Sequence, residues 1–242
     1  MLVSIHTHAQ VINRDEPQNN NTIFSELYQI AEKTYGINQE LICGELYENL
    51  YLGALGTPFI IKEEFTKGSV CYKGKVYNDL QLMYDIYEQK VLIDYRTEHT
   101  QLRVYLTKNF LTEFEIYNKK FKKLDLFDDG LDFYQVLEAG EELKCYYHWY
   151  KSRVESNHLY PRVSYEFSSD KKKKYLYING TYTGFRGKSS FISAFPKNKR
   201  KSIKKFIKQN KIYMADISDT AMQQLLDYCN SLLDTNEPTS EI

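Results

Sequence analysis

Few chemistry-bearing side chains in this sequence stand at a spacing that a reaction or a metal needs. Gly187-Lys188-Ser189 follows a strand-like run and precedes a helix-like one, as the end of a phosphate loop would. Such a loop needs a glycine five residues before the Gly-Lys pair, so that backbone N–H groups can wrap the phosphates. Tyr182 stands there, so the stretch from Gly180 to Ser189 reads as a turn followed by a capped helix. His6 and His8 could clip a metal, but no third ligand lies near them. Cys145 and His148 are three apart, which on a strand places them on opposite faces and argues against a nucleophile–base pair. Asp128-Asp129-Gly130 with Asp132 resembles part of a calcium loop, without its ligand alternation or its closing glutamate. No catalytic residue, metal ligand or cofactor is assigned.

Two softer patterns remain. Glu63, Glu64, Asp79, Asp85, Asp94, Glu113 and Glu115 offer carboxylates on strand-like segments. A glycan-directed hydrolase would need two of them about 5–10 Å apart, a separation that spacing along the chain does not reveal. Tyr146, Tyr147, Trp149 and Tyr150 form a candidate aromatic binding face. Such rings offer a flat apolar surface with a polar edge, although a β-sheet packs the same residues.

The elements that must position these groups follow from periodicity. Ile23, Leu27, Ile30 and Ala31 share a face and predict a short helix over 23–35, closed by Gly36. From Leu41 the chain breaks into runs rich in Val, Ile, Tyr and Phe, among them 57–65, 68–95 and 101–117. Lys73-Gly74-Lys75, Tyr77-Asn78-Asp79, Glu88-Gln89-Lys90 and Thr107-Lys108-Asn109 read as turns between them. Leu131–Leu137 and Leu143–Tyr150 flank a Gly-containing connection and predict a hairpin. A second hairpin is expected between Val163–Phe167 and Lys174–Ile178. Strands this close together imply antiparallel pairing, because parallel crossovers need about a dozen residues or more. Helices follow at 189–195, 197–209 and 217–233. The last has Ala221, Met222, Leu225, Leu226, Cys229, Leu232 and Leu233 at helical period behind a cap at Asp216 or Ser218.

Thirty-two basic and 32 acidic side chains give zero net charge, but the charge is segregated. Residues 171–212 hold 14 Lys or Arg and no Asp or Glu. Lys171, Lys172, Lys173, Lys174, Arg186, Lys188, Lys199, Arg200, Lys201, Lys204, Lys205 and Lys208 are the candidate anion- or partner-binding residues. A solvated helix face, offset by the acidic sheet region and by Asp216, Asp219 and Asp227 of the last helix, would explain many of them. An anionic envelope surface or an acidic partner protein is the next reading, since each lysine near anionic lipid is worth about 1 kcal/mol. Nucleic acid ranks last, although Tyr175 and Tyr177 mix stacking surfaces with the charge.

The 242 residues, 42% hydrophobic and 26% charged, describe a globular chain and argue against wholesale disorder. No run approaches the roughly 20 apolar residues of a membrane-spanning helix. Cys43, Cys71, Cys145 and Cys229 lie far apart with no CxxC pair, which excludes zinc-ribbon and thioredoxin-type sites. Free thiols are expected, with one disulfide open if the protein is exported. The opening residues, with Leu2, Val3 and Ile5 before Thr7 and Ala9, resemble the end of a secretory signal peptide. That reading expects an upstream frame encoding the basic start and about 7–15 apolar residues. Without it the location would be cytoplasmic.

Gly56-Thr-Pro58-Phe, Gly68–Leu80 and Leu82–Tyr87 resemble segments of a family of exported β-rich proteins of Bacteroidota. So do Lys188–Lys197, Ile203–Ile212 and Leu226–Leu232. The resemblance implies a periplasmic or outer-membrane-associated protein and carries over no catalytic residue. The expected architecture is one α+β domain over 22–234, between flexible ends at 1–21 and 235–242. It is an extended antiparallel meander curled into a barrel or sandwich, with a short N-terminal helix and about three C-terminal helices. The expected function is non-catalytic binding or structural work in the cell envelope. A glycan-directed hydrolase and a binder of nucleic acid or another anionic polymer through 171–212 are the alternatives.

Overall fold

The computed structural model describes residues 40–96, 101–126, 132–155 and 165–234. The helix expected over 23–35, His6, His8, Asp128, Asp129 and Gly130 lie outside the described residues.

The strands are β1 (Glu45–Leu46), β2 (Thr66–Tyr72), β3 (Lys75–Asp85), β4 (Lys90–Arg96), β5 (Gln101–Tyr105), β6 (Leu111–Ile116) and β7 (Lys119–Leu124). They continue with β8 (Asp132–Glu138), β9 (Leu143–Tyr150), β10 (Arg153–Glu155), β11 (Tyr165–Phe167), β12 (Lys171–Ile178) and β13 (Thr181–Phe185). Three helices end the described chain: α1 (Lys188–Ser193), α2 (Lys197–Gln209) and α3 (Asp219–Asp234). Eleven strands form one antiparallel sheet in the order β1-β5-β4-β3-β2-β6-β7-β8-β9-β12-β13, and β10 and β11 pair separately.

The α+β class and the antiparallel sheet agree with the sequence. The closed barrel does not, because β1 and β13 end the sheet without pairing to each other. Curvature is nevertheless strong. Tyr84 on β3 and Phe133 on β8 stand four strand spacings apart in the sheet order, about 19 Å if it were flat. Their ring centres are 6.2 Å apart. The sheet therefore rolls around Tyr84, Phe114, Phe121 and Phe133, all of them buried, with Phe114 and Phe121 stacked at 4.7 Å. Two register shifts on β2 help it bend, one between Gly68 and Val70 against β3 and one between Cys71 and Tyr72 against β6. Gly68 is needed there, since a Cβ would meet the Glu115 carbonyl oxygen at 2.3 Å.

Four local expectations are corrected. Asn78 and Asp79 are no turn but lie inside β3 opposite the first shift, where Asp79 takes φ 56°. Residues 57–65 do not pair as a strand; they cross the outer face, where Phe59 packs on Met83 and Leu92. The meander is interrupted, because β6 pairs with β2 and not with β5. The second hairpin is absent: β11 pairs with β10, while β12 runs between β9 and β13. A lysine run makes a strand here because β9 pairs with it along its whole length and Lys172 lies across Tyr147 and Trp149 of β9.

All three C-terminal helices form as their periodicity predicts. Ser218 is the cap of α3, its Oγ accepting the Ala221 N–H at 3.2 Å. Met222, Leu225, Leu226 and Cys229 are buried beneath that helix, which lies against β8 and β9. Phe206 of α2 stacks on Tyr228 of α3 at 4.1 Å. Phe191 joins α1 to β13 through Phe185 at 5.2 Å.

If the ring cluster sets the curl, Phe114→Ala removes the stacked partner of Phe121 and the contact with Tyr84. Urea unfolding should then show a loss of about 3–5 kcal/mol, whereas a loss below about 1 kcal/mol would mean the sheet bends for other reasons.

Candidate functional site

The register of β12 builds the site. Lys171 to Ile178 pair with Tyr150 to Leu143 of β9, but β13 reaches only as far as Phe185 opposite Lys174. Beyond that pair the chain turns away through Arg186 and Gly187 into α1. On the far side, Lys174 fastens the segment before α3, its Nζ donating to the carbonyl oxygens of Met214 at 2.9 Å and Ala215 at 3.0 Å. A cleft of about 1010 Å³ opens between these parts, lined by Lys172, Lys173, Lys174, Tyr175, Arg186 and Tyr150 together with the acids Asp170 and Asp216.

Lys172 forms its floor. The Nζ lies 4.0 Å from the centre of the Trp149 ring and 4.8 Å from that of Tyr147. Its nearest carboxylate is Asp219 at 3.9 Å, too long for a hydrogen bond. Burial pulls the Lys172 pKa below the ordinary lysine value; Asp219 opposes that shift, and Lys119 and Lys174 add to it. Asp219 itself is engaged by Lys119 and by the Gln135 amide at 2.7 Å. Burial works to raise its pKa, but these hydrogen bonds hold it below the usual carboxylate value. Gln135 in turn accepts the Trp149 indole N–H at 2.8 Å.

The other basic candidates diverge. Lys171 donates to Ser152 Oγ at 3.0 Å, and Arg200 closes the end of α1 on the carbonyl oxygens of Ser193 and Phe195 at 2.6 and 2.7 Å. Lys201, Lys204, Lys205 and Lys208 are exposed along α2, while Lys188 and Lys199 are half-buried on α1 and α2. None of these six lines the cleft. The basic stretch therefore divides into four residues that line one cleft, others held locally such as Lys171 and Arg200, and a lysine face of α2 in solvent.

The aromatic binding face is corrected. Tyr146, Tyr147 and Trp149 are buried, and alternation sends Tyr147 and Trp149 to one side of β9 and Tyr146 to the other. Only Tyr150 reaches the cleft. Cys145 and His148 face opposite sides, as their spacing requires. His148 Nε2 lies 3.1 Å from Asp132 Oδ2, and Lys108 donates to the other Asp132 oxygen at 2.6 Å. At Gly187-Lys188-Ser189 the neighbouring Ser190 closes the turn, its Oγ accepting the N–H groups of Arg186 and Gly187. Cys43, Cys71, Cys145 and Cys229 form no disulfide.

Most of the candidate carboxylates are engaged by cations or backbone N–H groups. Asp94 accepts hydrogen bonds from Arg96, Gln101 and Arg103 at 2.6, 2.8 and 3.2 Å. It lines a second cleft of about 750 Å³ with Glu63 and Glu64, in which Arg96 and Arg103 neutralise part of the charge. Asp85 is fully buried and closes the turn after β3, accepting the N–H groups of Tyr87 and Glu88 at 2.9 and 2.7 Å. Burial pushes its carboxyl up to about 6 against the pull of those bonds. Asp79 pairs with Lys67 in solvent, and Glu113 with Lys120.

Among the described residues no three His, Cys, Asp or Glu side chains gather as metal ligands, and no helix is long and apolar enough to cross a membrane. Comparison with protein-family models, curated proteins and solved structures finds no match. Sequence reasoning named the four cations and set Asp219 of the last helix among the acids that offset the lysines, but it missed Lys119 as a partner of Asp219 and the wall made by 215–217. A carboxylate at a helix start carries no signal of which lysines it will meet.

Two measurements test this electrostatic account. Asp219→Ala leaves Lys119 and Lys172 facing each other and should lower stability by about 1–3 kcal/mol in urea. Adding Lys119→Met should restore most of that loss, and no restoration would sink the pairing. For Asp85, the folded protein keeps a proton between the ordinary carboxylate range and about 6 that the unfolded chain has released. Stability therefore falls as pH rises through that window. Asp85→Asn should gain about 1–3 kcal/mol relative to wild type between pH 4 and pH 7, and a constant difference would show that Asp85 is not responsible.

Proposed function

We propose that the protein is a non-catalytic binding module whose ligand is anionic and seats in the cleft beside β12. One observation carries the reading. Lys172, Lys173, Lys174 and Arg186 line a single cleft, and the half-buried ammonium of Lys172 rests on aromatic rings with its nearest carboxylate, Asp219, at 3.9 Å. An ammonium has three protons to donate, and partial burial on rings leaves it fewer water partners than a fully exposed lysine has. An anionic group entering the cleft supplies an acceptor. Asp170 does not compete for it, because its oxygens are engaged by Lys151 at 3.2 Å and by the Ile61 N–H at 2.9 Å.

The setting we propose is the cell envelope, at the periplasm or the outer-membrane surface, on the resemblance of 56–87 and 188–232 to exported proteins of Bacteroidota. The ligand there is an acidic partner protein or another polyanion. Hydrolysis of glycans has less support, since Asp94 is held by two arginines and Asp85 closes a turn.

Trp149 is the single tryptophan of the chain and lies against Lys172, so its fluorescence reports on the cleft. Titration with short-chain polyphosphate should change that signal. The affinity should fall roughly tenfold or more between about 50 and about 200 mM salt. Lys173→Glu with Arg186→Glu should abolish the change. A response insensitive to salt, or retained in the double variant, would refute the proposal.

A further inference from the structure

The cleft has a geometric property that a simple basic patch lacks. It is lined by four consecutive residues of one strand, Lys172, Lys173, Lys174 and Tyr175. Successive strand residues point to opposite faces, so a cavity over one face touches every second residue. One that touches all four looks onto the edge of the strand. The register agrees: β13 ends opposite Lys174, whereas β12 begins three residues earlier at Lys171, and the cleft lies where β13 would otherwise continue.

We propose, resting on the reading of the cleft as an anion site, that the ligand is an extended acidic polypeptide segment that joins the sheet along the edge of β12 vacated by β13. A strand placed there runs about 4.8 Å from β12, and three residues of it cover about 10 Å. Backbone hydrogen bonds to the edge supply affinity without regard to sequence, and the side chains supply selection. Alternate residues of the incoming segment meet Lys173 and Tyr150 on one face of the sheet and Lys172 on the other. Acidic side chains therefore fit at neighbouring positions as well as alternate ones, and Arg186 stands where the segment would approach the end of β13.

Lysines along a sheet edge also repel unwanted strands. That function is compatible with selective capture, because the same charges exclude a neutral or basic strand and admit an acidic one. They also disfavour a second copy of this chain docking edge to edge, which would set Lys171–Lys174 against themselves.

The test uses the full chain and synthetic decapeptides in which Glu alternates with Val, Thr or Tyr. Each is compared with an analogue of the same sequence N-methylated at alternate backbone nitrogens, and Trp149 fluorescence is the readout. Methylation leaves the charge intact but removes the hydrogen-bond donors of one edge. Two analogues methylated in opposite phase cover both possible alignments. Binding of an unmethylated peptide, with at least a tenfold loss in one phase and a smaller loss in the other, supports strand addition. Equal binding of all three forms overturns it and leaves the anion site standing, as does binding of polyphosphate with no binding of any peptide. Binding of neither polyphosphate nor peptide overturns both. Self-association of the chain at the peptide-binding concentration, abolished by Lys172→Glu, would assign the edge to a second copy and also overturn the proposal.

Discussion

Asp219 ties together elements that are distant in sequence. It stands in the first turn of α3, where the unpaired N–H groups of the helix favour a negative charge. Lys119 of β7 and Gln135 of β8 both donate to it, and Gln135 passes the chain of hydrogen bonds to Trp149 of β9. Trp149 then carries the ammonium of Lys172 on β12. Four neighbouring strands and one helix are thereby linked by one polar network on the concave side of the sheet. Networks of this kind are worth more together than their pairs suggest, because each member leaves its neighbour unsatisfied when removed. The position of Lys172 is set by this arrangement and not by its own strand.

The curl of the sheet makes the network possible. Lys119, Phe121 and Gln135 share the concave face, since Phe121 pairs directly with Gln135 and Lys119 lies two residues before Phe121. Along that face the aromatic cluster of Tyr84, Phe114, Phe121 and Phe133 gives way to polar groups near α3. Apolar packing closes one part of the curve and a charge cluster closes the other. The helices cover the second part, with α3 on β8 and β9, α2 on α3, and α1 against β13. An open sheet thus protects most of its concave side while keeping its last strands accessible.

Much of this architecture was legible in the residues. The 3.6-residue spacing of Met222, Leu225, Leu226 and Cys229 marked α3, and the connection from Glu138 to Glu142 marked the hairpin of β8 and β9. The failures have a common cause, which is that distant neighbours decided the local conformation. Asn78-Asp79 has turn chemistry, yet the pairing of β2 absorbs it as a bulge. Residues 57–65 have strand composition, yet Phe59 is buried against the sheet's outer face, where one isolated bridge to Asp85 replaces a ladder. Four consecutive lysines carry no strand signal at all, and β12 exists because β9 offers hydrogen bonds and aromatic faces to them. The site was half legible for the same reason: its cations could be named, but the cleft also needs the end of β13 and the 215–217 segment.

The division of labour among the lysines of β12 follows from alternation. Lys174 is spent on two carbonyl oxygens and holds the wall before α3. Lys171 is tied to Ser152. Lys172, between them in the chain, is half-buried on aromatic rings that attract its charge without accepting its protons. An arginine could stack on the same rings, but its planar fork distributes five donors that a compact ammonium does not have. The compact ammonium keeps its donors in one place, at the floor of the cleft. An anion that reaches it favours the charged form that partial burial disfavours, so the half-buried position of Lys172 adds to its attraction for an anion.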